Sequence, residues 1–358
     1  YPLEKSYKKI IGDYYSPSKV TNVLKEIDEI ITKNNLQFVE HEVDETIIND
    51  EINLKFNIRE GAKILVERIN IKGNNVTNES VIRSELLLDE GDPFTNLNLD
   101  KSISKLKSRD IFKSVKREVI QGSKNDLKII DIYIEEKPTG EISAGAGVGT
   151  NGGTLAFNIR ENNWLGEGKR VGIDFELSEE SLKGQLTYTN PNYDLLGNSI
   201  SYNLKNTSND KPDQGYKNSI IAIGAATGFE QYENIFANLG VNLSYDDLET
   251  TSNASSSLQK QSGQFAELSG TYGFKYDQRD RSFMPTSGSI LSFNQSLPIY
   301  ADKPFIDNSV MASFYNSFSE NYIGSSKFLL STIHGVNNEN VRISKRKSLS
   351  SRRLRGFE

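Results

Sequence analysis

Two periodicities divide the chain. Up to about residue 138, runs at helical spacing are followed by runs in which every second residue is apolar; beyond Glu141 only the alternation remains. Ser16-Pro17 is a helix opening, with serine placed to cap and proline at the first helical position. Val20, Val23, Leu24, Ile27, Ile30 and Ile31 then share one helical face. Strands are predicted next at 37–45 and 50–59, and in the second Ile52, Leu54, Phe56 and Ile58 alternate with polar residues.

The same order returns further on. Gly12-Asp13 recurs as Gly91-Asp92, and Val20, Leu24 and Ile27 map onto Leu99, Ile103 and Leu106 at one constant offset. Strands at 112–121 and 126–136 complete this second copy, which also has an opening strand at 64–72 and a short helix near 77–86. Its order is β-α-α-β-β. The first copy begins at its helices, so its opening strand is expected to lie outside the sequence. Repeats of this size are modules in series, in contrast to one ordinary α+β domain.

Past Glu141, Val171, Ile173, Phe175 and Leu177 alternate with polar residues and glycine, and the run from Ile235 to Tyr245 does the same. Similar segments fall near 141–149, 153–161, 182–190, 198–205, 218–229, 264–277, 289–297, 308–318 and 326–335. That makes about eleven predicted strands, many of them about ten residues long, as a tilted transmembrane strand requires. A soluble sandwich shows the same alternation. The connections favour a membrane barrel: turns at 230–234 and 319–325 are tight, whereas 206–217 and 246–263 read as long polar loops on the other side. Trp164, Tyr188, Tyr193, Phe229 and Tyr232 fall near strand ends, where interfacial girdles sit. Single-chain bacterial barrels close with an even number of strands, so more strands are expected after Glu358.

Composition narrows the chemistry. Hydrophobic residues make up 36% of the 358, and no apolar run reaches the roughly 18 residues of a membrane-spanning helix. Net charge −6 argues against bulk nucleic-acid binding. Cysteine is absent, which removes disulfide and thiolate chemistry. The chain opens at Tyr1 without an apolar signal core, as a mature or truncated piece would. The two histidines, His41 and His334, lie in different regions and form no catalytic constellation. Residues 147–152 match G-x-G-x-x-G, but Leu155, Phe157 and Ile159 alternate behind them. A strand therefore follows instead of a phosphate-binding helix, and Asn151-Gly152 reads as a hairpin turn. No enzyme activity, cofactor or metal is expected.

Two segments stand out as candidate sites. Ile142-Ser143-Ala144-Gly145-Ala146-Gly147-Val148-Gly149 carries almost no large side chains, so its cross-strand pairing should be weak. An exposed edge of that kind is a template for another chain's strand, although glycine there could equally serve curvature. The second segment is the basic run from Arg342, which ends in Leu354-Arg355-Gly356-Phe357 and would otherwise be a solvated loop.

Several motifs together resemble the BamA family, most of all its alphaproteobacterial form. They are Val66-Glu67-Arg68-Ile69-Asn70-Ile71-Lys72-Gly73-Asn74 with Val81-Ile82-Arg83-Ser84-Glu85, Glu135-Glu136-Lys137-Pro138-Thr139-Gly140, and Asn162-Asn163-Trp164-Leu165-Gly166-Glu167-Gly168. Tyr276-Asp277 through Pro285-Thr286-Ser287-Gly288 is a fourth, and Leu354-Arg355-Gly356-Phe357 a fifth, with Leu354 where the family pattern has Val or Ile. The resemblance implies POTRA modules followed by an antiparallel transmembrane β-barrel of sixteen strands. Residues 1–61 would be a partial module, 62–138 a complete one, and 139–358 about eleven strands ending in the sixth extracellular loop. It further implies an outer-membrane assembly factor with POTRA modules in the periplasm. Its partners would be unfolded outer-membrane proteins, accessory assembly lipoproteins and outer-membrane lipid. The strand at 142–149 would be one side of a lateral seam, and Arg355 would turn into the lumen toward later strands. A polypeptide translocator of the same superfamily (TamA or a two-partner secretion pore) and a passive porin are the competing readings.

Overall fold

The computed structural model describes residues 7–8, 10–33, 39–48, 51–60, 64–149, 152–194, 196–232, 234–280, 284–319, 322–337 and 339–347. They fall into two compact units, one of residues 1–75 and 85–136, the other of 76–84 and 137–358.

In the first unit, helix α1 (Pro17–Lys33) buries Val20, Val23 and Ile27 along the face the sequence predicts. A two-stranded antiparallel hairpin follows, β1 (Val39–Ile48) and β2 (Glu51–Glu60), in which Val43 faces Phe56 and Glu45 faces Leu54. The second copy forms a three-stranded sheet. Its order is β3 (Leu65–Lys72), β5 (Leu127–Glu136), β4 (Phe112–Gln121), with β3 parallel and β4 antiparallel to the central β5. Helix α2 (Glu79–Arg83) belongs to the other compact unit by its contacts. Helix α3 (Asn96–Ser108) starts where the Thr95 side chain accepts the Asn98 N–H at 3.2 Å, and it packs on β4. Leu99, Ile103 and Leu106 of α3 are buried, as are Ile130, Ile132 and Ile134 of β5 and Val115 of β4. Each such side chain contributes about 1.5–3 kcal/mol over an exposed one. On the opposite face of β5, Asp131 accepts hydrogen bonds from Asn70 (2.7 Å), Lys72 (2.5 Å) and Tyr133 (3.3 Å). The Lys72 ammonium, with Asn70, holds the Asp131 carboxyl below the ordinary carboxylate range.

The second unit is one eleven-stranded antiparallel meander. Its strands are β6 (Gly140–Gly149), β7 (Gly152–Trp164), β8 (Lys169–Ser178), β9 (Ser181–Asn190), β10 (Ser199–Lys211), β11 (Tyr216–Tyr232), β12 (Ile235–Thr250), β13 (Gly263–Asp277), β14 (Gly288–Ala301), β15 (Phe305–Ser319) and β16 (Tyr322–Gly335). Each strand pairs with its sequence neighbours, leaving β6 and β16 at the two ends of the order. The pairing keeps face with face: Ile159, Ile173, Leu186 and Leu204 lie side by side, as do Ile223 and Leu243 further along. These residues are exposed or half-buried on every strand, a continuous apolar surface outside any protein core. No described helix is long and apolar enough to cross a membrane, which bears on helices alone. The other face is polar: Lys183 pairs with Glu176 at 2.8 Å, Asn158 donates to Asp174, and Lys211 pairs with Glu180.

Two predicted loops are shorter than expected. β10 and β11 extend to Lys211 and Tyr216, leaving a single turn of 3-10 helix at Pro212–Gln214. β12 extends to Thr250, so the next connection is 251–262 and contains helix α4 (Ser256–Gln259). These ends read as loop because polar residues fall on both faces there: Asn206 and Ser208 follow Leu204 on the outward face of β10, and Asp246 lies on the inward face of β12.

Candidate functional site

β6 is one of the two end strands of the described sheet, with β16 the other, and it carries small side chains along most of its length. It pairs with β7 alone, from Gly140 opposite Glu161 to Gly149 opposite Gly152. Residues 141–148 are all exposed; Ile142 is 72% and Val148 93% accessible. Its outward positions are Ile142, Ala144, Ala146 and Val148, set against Ile159, Phe157, Leu155 and Gly153 of β7. The inward ones are Ser143, Gly145 and Gly147. A Cβ placed on Gly145 or Gly147 would meet nothing within 4 Å. Glycine at these two positions is therefore not demanded by a neighbouring group, which weakens the reading of the segment as a device for close packing. What its small side chains do is withhold cross-strand contacts, each worth roughly 0.2–1 kcal/mol. Among the described residues no strand lies beside β6 away from β7, and the same holds for β16 away from β15.

Two of the sequence motifs are tight turns with readable chemistry. In Asn162–Gly168, Asn163 is buried; its amide donates to Thr77 Oγ1 at 2.9 Å and its Oδ1 accepts the Gly168 N–H at 2.7 Å. Gly166 adopts φ +74°, and a Cβ there would lie 2.1 Å from the Val76 carbonyl oxygen, so two independent constraints require glycine. In the motif that ends at Gly288, Arg279 makes a two-pronged contact to Asp277 at 2.8 and 2.7 Å. Asp280 accepts from the Thr286 N–H and hydroxyl at 2.9 and 2.7 Å. Gly288, at φ +95°, lies against the Gln278 carbonyl.

The remaining candidates are placed as follows. Leu354, Arg355, Gly356 and Phe357 lie outside the described residues, as does Asn151 of the predicted hairpin turn; Gly152 has φ +83°. On the inward face Asp174 accepts from Asn158 and lies 3.8 Å from Arg160, and Glu176 pairs with Lys183. His41 sits on β1 with Nε2 2.8 Å from Asp28, and His334 on β16 opposite Ile306. Among the described residues no group of His, Asp and Glu has metal-site geometry. The start of the basic run is where pattern reading missed something: Arg342 is buried, not solvated. The available signal was the acidic residues Asp246 and Glu267 at inward strand positions.

A β-α-α-β-β module followed by a long antiparallel meander, apolar on one face and polar on the other, defines a POTRA-bearing outer-membrane β-barrel protein. The comparisons with known proteins agree. Residues 163–358 match the Omp85 superfamily domain and residues 64–137 match POTRA, the surface antigen variable number repeat. The chain belongs to the Omp85 superfamily, and it is an outer-membrane protein whose POTRA segment lies on the periplasmic side. It is 24% identical to the outer membrane protein assembly factor BamA of Neorickettsia risticii, over 87% of this chain and 42% of that protein. It is 24% identical to BamA of Neisseria meningitidis, over 84% of this chain and 40% of that protein. The chain thus spans about two fifths of the length of these curated relatives. The crystal structure of BamA from Haemophilus ducreyi lacking POTRA domains 1–3 has the same fold, with TM-score 0.65 and 20% identity over 97% of this chain and 71% of that one. CdiB from Escherichia coli shares the fold more distantly, with TM-score 0.54 and 11% identity over 95% and 66%. The superfamily match starts at Asn163, downstream of β6.

Proposed function

We propose that this chain is part of an outer membrane protein assembly factor, and that β6 is the edge on which client barrels grow strand by strand. In this reading residues 1–61 and 62–138 are consecutive POTRA modules that receive unfolded clients in the periplasm and dock accessory lipoproteins, and 139–358 belongs to the barrel. The observation that carries it is the strand itself: a glycine- and alanine-rich run in which no neighbouring group crowds Gly145 or Gly147. Main-chain hydrogen bonds to β6 and transfer of apolar side chains into lipid supply the driving force, with no cofactor or nucleotide. The fold is common to assembly and secretion members, so it does not choose between them. The curated relatives' function and the bareness of β6 favour assembly. Leu354–Phe357 would act in the sixth loop, with Arg355 turned inward.

The test places photocrosslinkers at Ala144 and Ala146 in the full-length protein, supplied with unfolded client. C-terminal client strands should be trapped at both positions. Trapping at other strands with none anywhere along β6 would refute the edge assignment.

A further inference from the structure

Three carboxylates from three strands converge with three cations of the connection after β16. Arg342 is 4% exposed, although it belongs to no strand. Its Nε lies 3.6 Å from Asp246 Oδ2 on β12 and its Nη2 3.9 Å from Glu267 Oε2 on β13. The guanidinium sits 4.2 Å from the ring centroid of Phe265. Lys345 Nζ is 3.2 Å from the same Glu267 and donates to Ser244 Oγ at 3.3 Å. Ser344 Oγ donates to Asp246, Lys347 pairs with Asp307 on β15, and the Ile343 N–H donates to Gln261 Oε1 at 2.9 Å.

The wall residues share one face. Register sets Ser244 opposite Glu267 and Asp246 opposite Phe265, on the side away from Leu243 and Tyr245, which are exposed on the apolar outer surface. Asp246 and Glu267 are themselves buried, and unpaired carboxylates there would be strongly unfavourable. The Arg342 contacts are at ion-pair and ring-stacking distance and not at hydrogen-bond distance, so Arg342 acts by charge and stacking and not by a fixed two-pronged geometry.

We propose that Arg342 is a positioning residue: it seats the connection after β16 on the inner wall of β12 and β13. The seat braces strands from β12 to β15 against sliding past one another, which confines opening to the weakly held β6 edge. This rests on the assembly reading above. It concerns an arginine separate from Arg355, on strands that precede the connection.

These 358 residues contain no cysteine, so a thiol introduced among them is an unambiguous reporter once any cysteine elsewhere in the full-length protein has been replaced. The experiment uses full-length protein in liposomes with Ile343→Cys, a thiol-reactive polyethylene glycol outside, and Arg342→Met or Arg342→Lys in that background. Only variants with the heat-modifiable gel mobility of a folded barrel are compared. Arg342→Met should raise the labelling rate about tenfold and slow assembly of a client barrel several-fold, because a buried pair has lost one charge. Arg342→Lys should fall between the parent and Arg342→Met, with labelling raised about threefold, because the charge is retained while the planar contact with Phe265 is lost. Labelling unchanged in Arg342→Met, labelling raised without slower assembly, or a lysine variant as defective as the methionine one would each overturn the proposal. Should Arg342→Met fail to fold, Lys345→Ala with Lys347→Ala should give an intermediate rise in labelling, and no rise would count against the seat. A parent protein that does not speed client assembly would sink the assembly reading, while the labelling comparison still decides the seat.

Discussion

β6 and the β12–β13 wall belong to one meander yet are built on opposite principles. β6 has small, exposed residues through most of 141–148 and glycines whose inward space is empty. β12 and β13 are each paired on both sides and carry buried Ser244, Asp246, Glu267 and Ser269. Their inward glycines Gly240 and Gly273 are crowded: a Cβ on Gly273 would lie 2.3 Å from Asn294 Oδ1 and 2.8 Å from the Phe293 carbonyl oxygen, and one on Gly240 3.0 Å from the Ala225 carbonyl oxygen. The same residue type thus does two different jobs. In the wall glycine makes room for neighbouring strands; in β6 it withholds contact. Counting glycines in a sequence cannot separate these roles, but what surrounds each one can.

The largest expected effect comes from filling the wall. Gly273→Val should destabilise the barrel by about 1–3 kcal/mol, since the added atoms meet backbone as well as a side chain. The heat-modifiable gel shift should appear at a lower temperature than in the parent. A variant as stable as the parent would erase the contrast.

Filling the edge should do the reverse. Gly145→Val and Gly147→Val have open space, and strand propensity favours valine by up to about 1 kcal/mol. Barrel stability should hold or rise, while client release slows about fivefold in a liposome assembly assay. Destabilisation on the scale of Gly273→Val would mean that β6 is packed after all.

A smaller effect tests whether the POTRA sheet is braced by charge as the wall is. The folded-state pKa of Asp131 is lowered chiefly by Lys72, so its stabilising contribution is full above the unfolded aspartate value of about 4. That contribution is lost as pH falls through the lower folded value. The denaturant midpoint of the segment 65–136, read by pulsed hydrogen exchange, should be higher for the parent than for Asp131→Asn at pH 7. The two should converge in acid. A gap that persists at the lowest pH would assign the effect of Asp131 to shape and not to charge.

Much of this was legible in the chain itself. Alternation located all eleven strands because one face meets lipid and cannot carry polar groups, and Leu99, Ile103 and Leu106 marked the helix that covers the POTRA sheet. Strand ends were misjudged at Lys211, Tyr216 and Thr250, where both faces turn polar and the period loses contrast. The bareness of β6 could be read from Ile142 to Gly149, but the empty space inward of Gly145 and Gly147 could not, because it is a property of the neighbours. The Arg342 seat was hidden for a related reason. Its partners lie far upstream on two strands, and only the register of β12 against β13 brings Ser244, Asp246, Phe265 and Glu267 to one place.

Strand length has a consequence of its own. β6, β8 and β9 have 10 residues each, whereas β11 has 17 and β12 has 16. At about 3.3 Å per residue and a tilt near 45°, the short strands reach about 23 Å along the membrane normal and the long ones about 40 Å. The first barely matches the hydrocarbon band, while the second rises well clear of it. Lipid against β6, β8 and β9 therefore meets strands with no length to spare, whereas β11 and β12 carry a margin beyond the band.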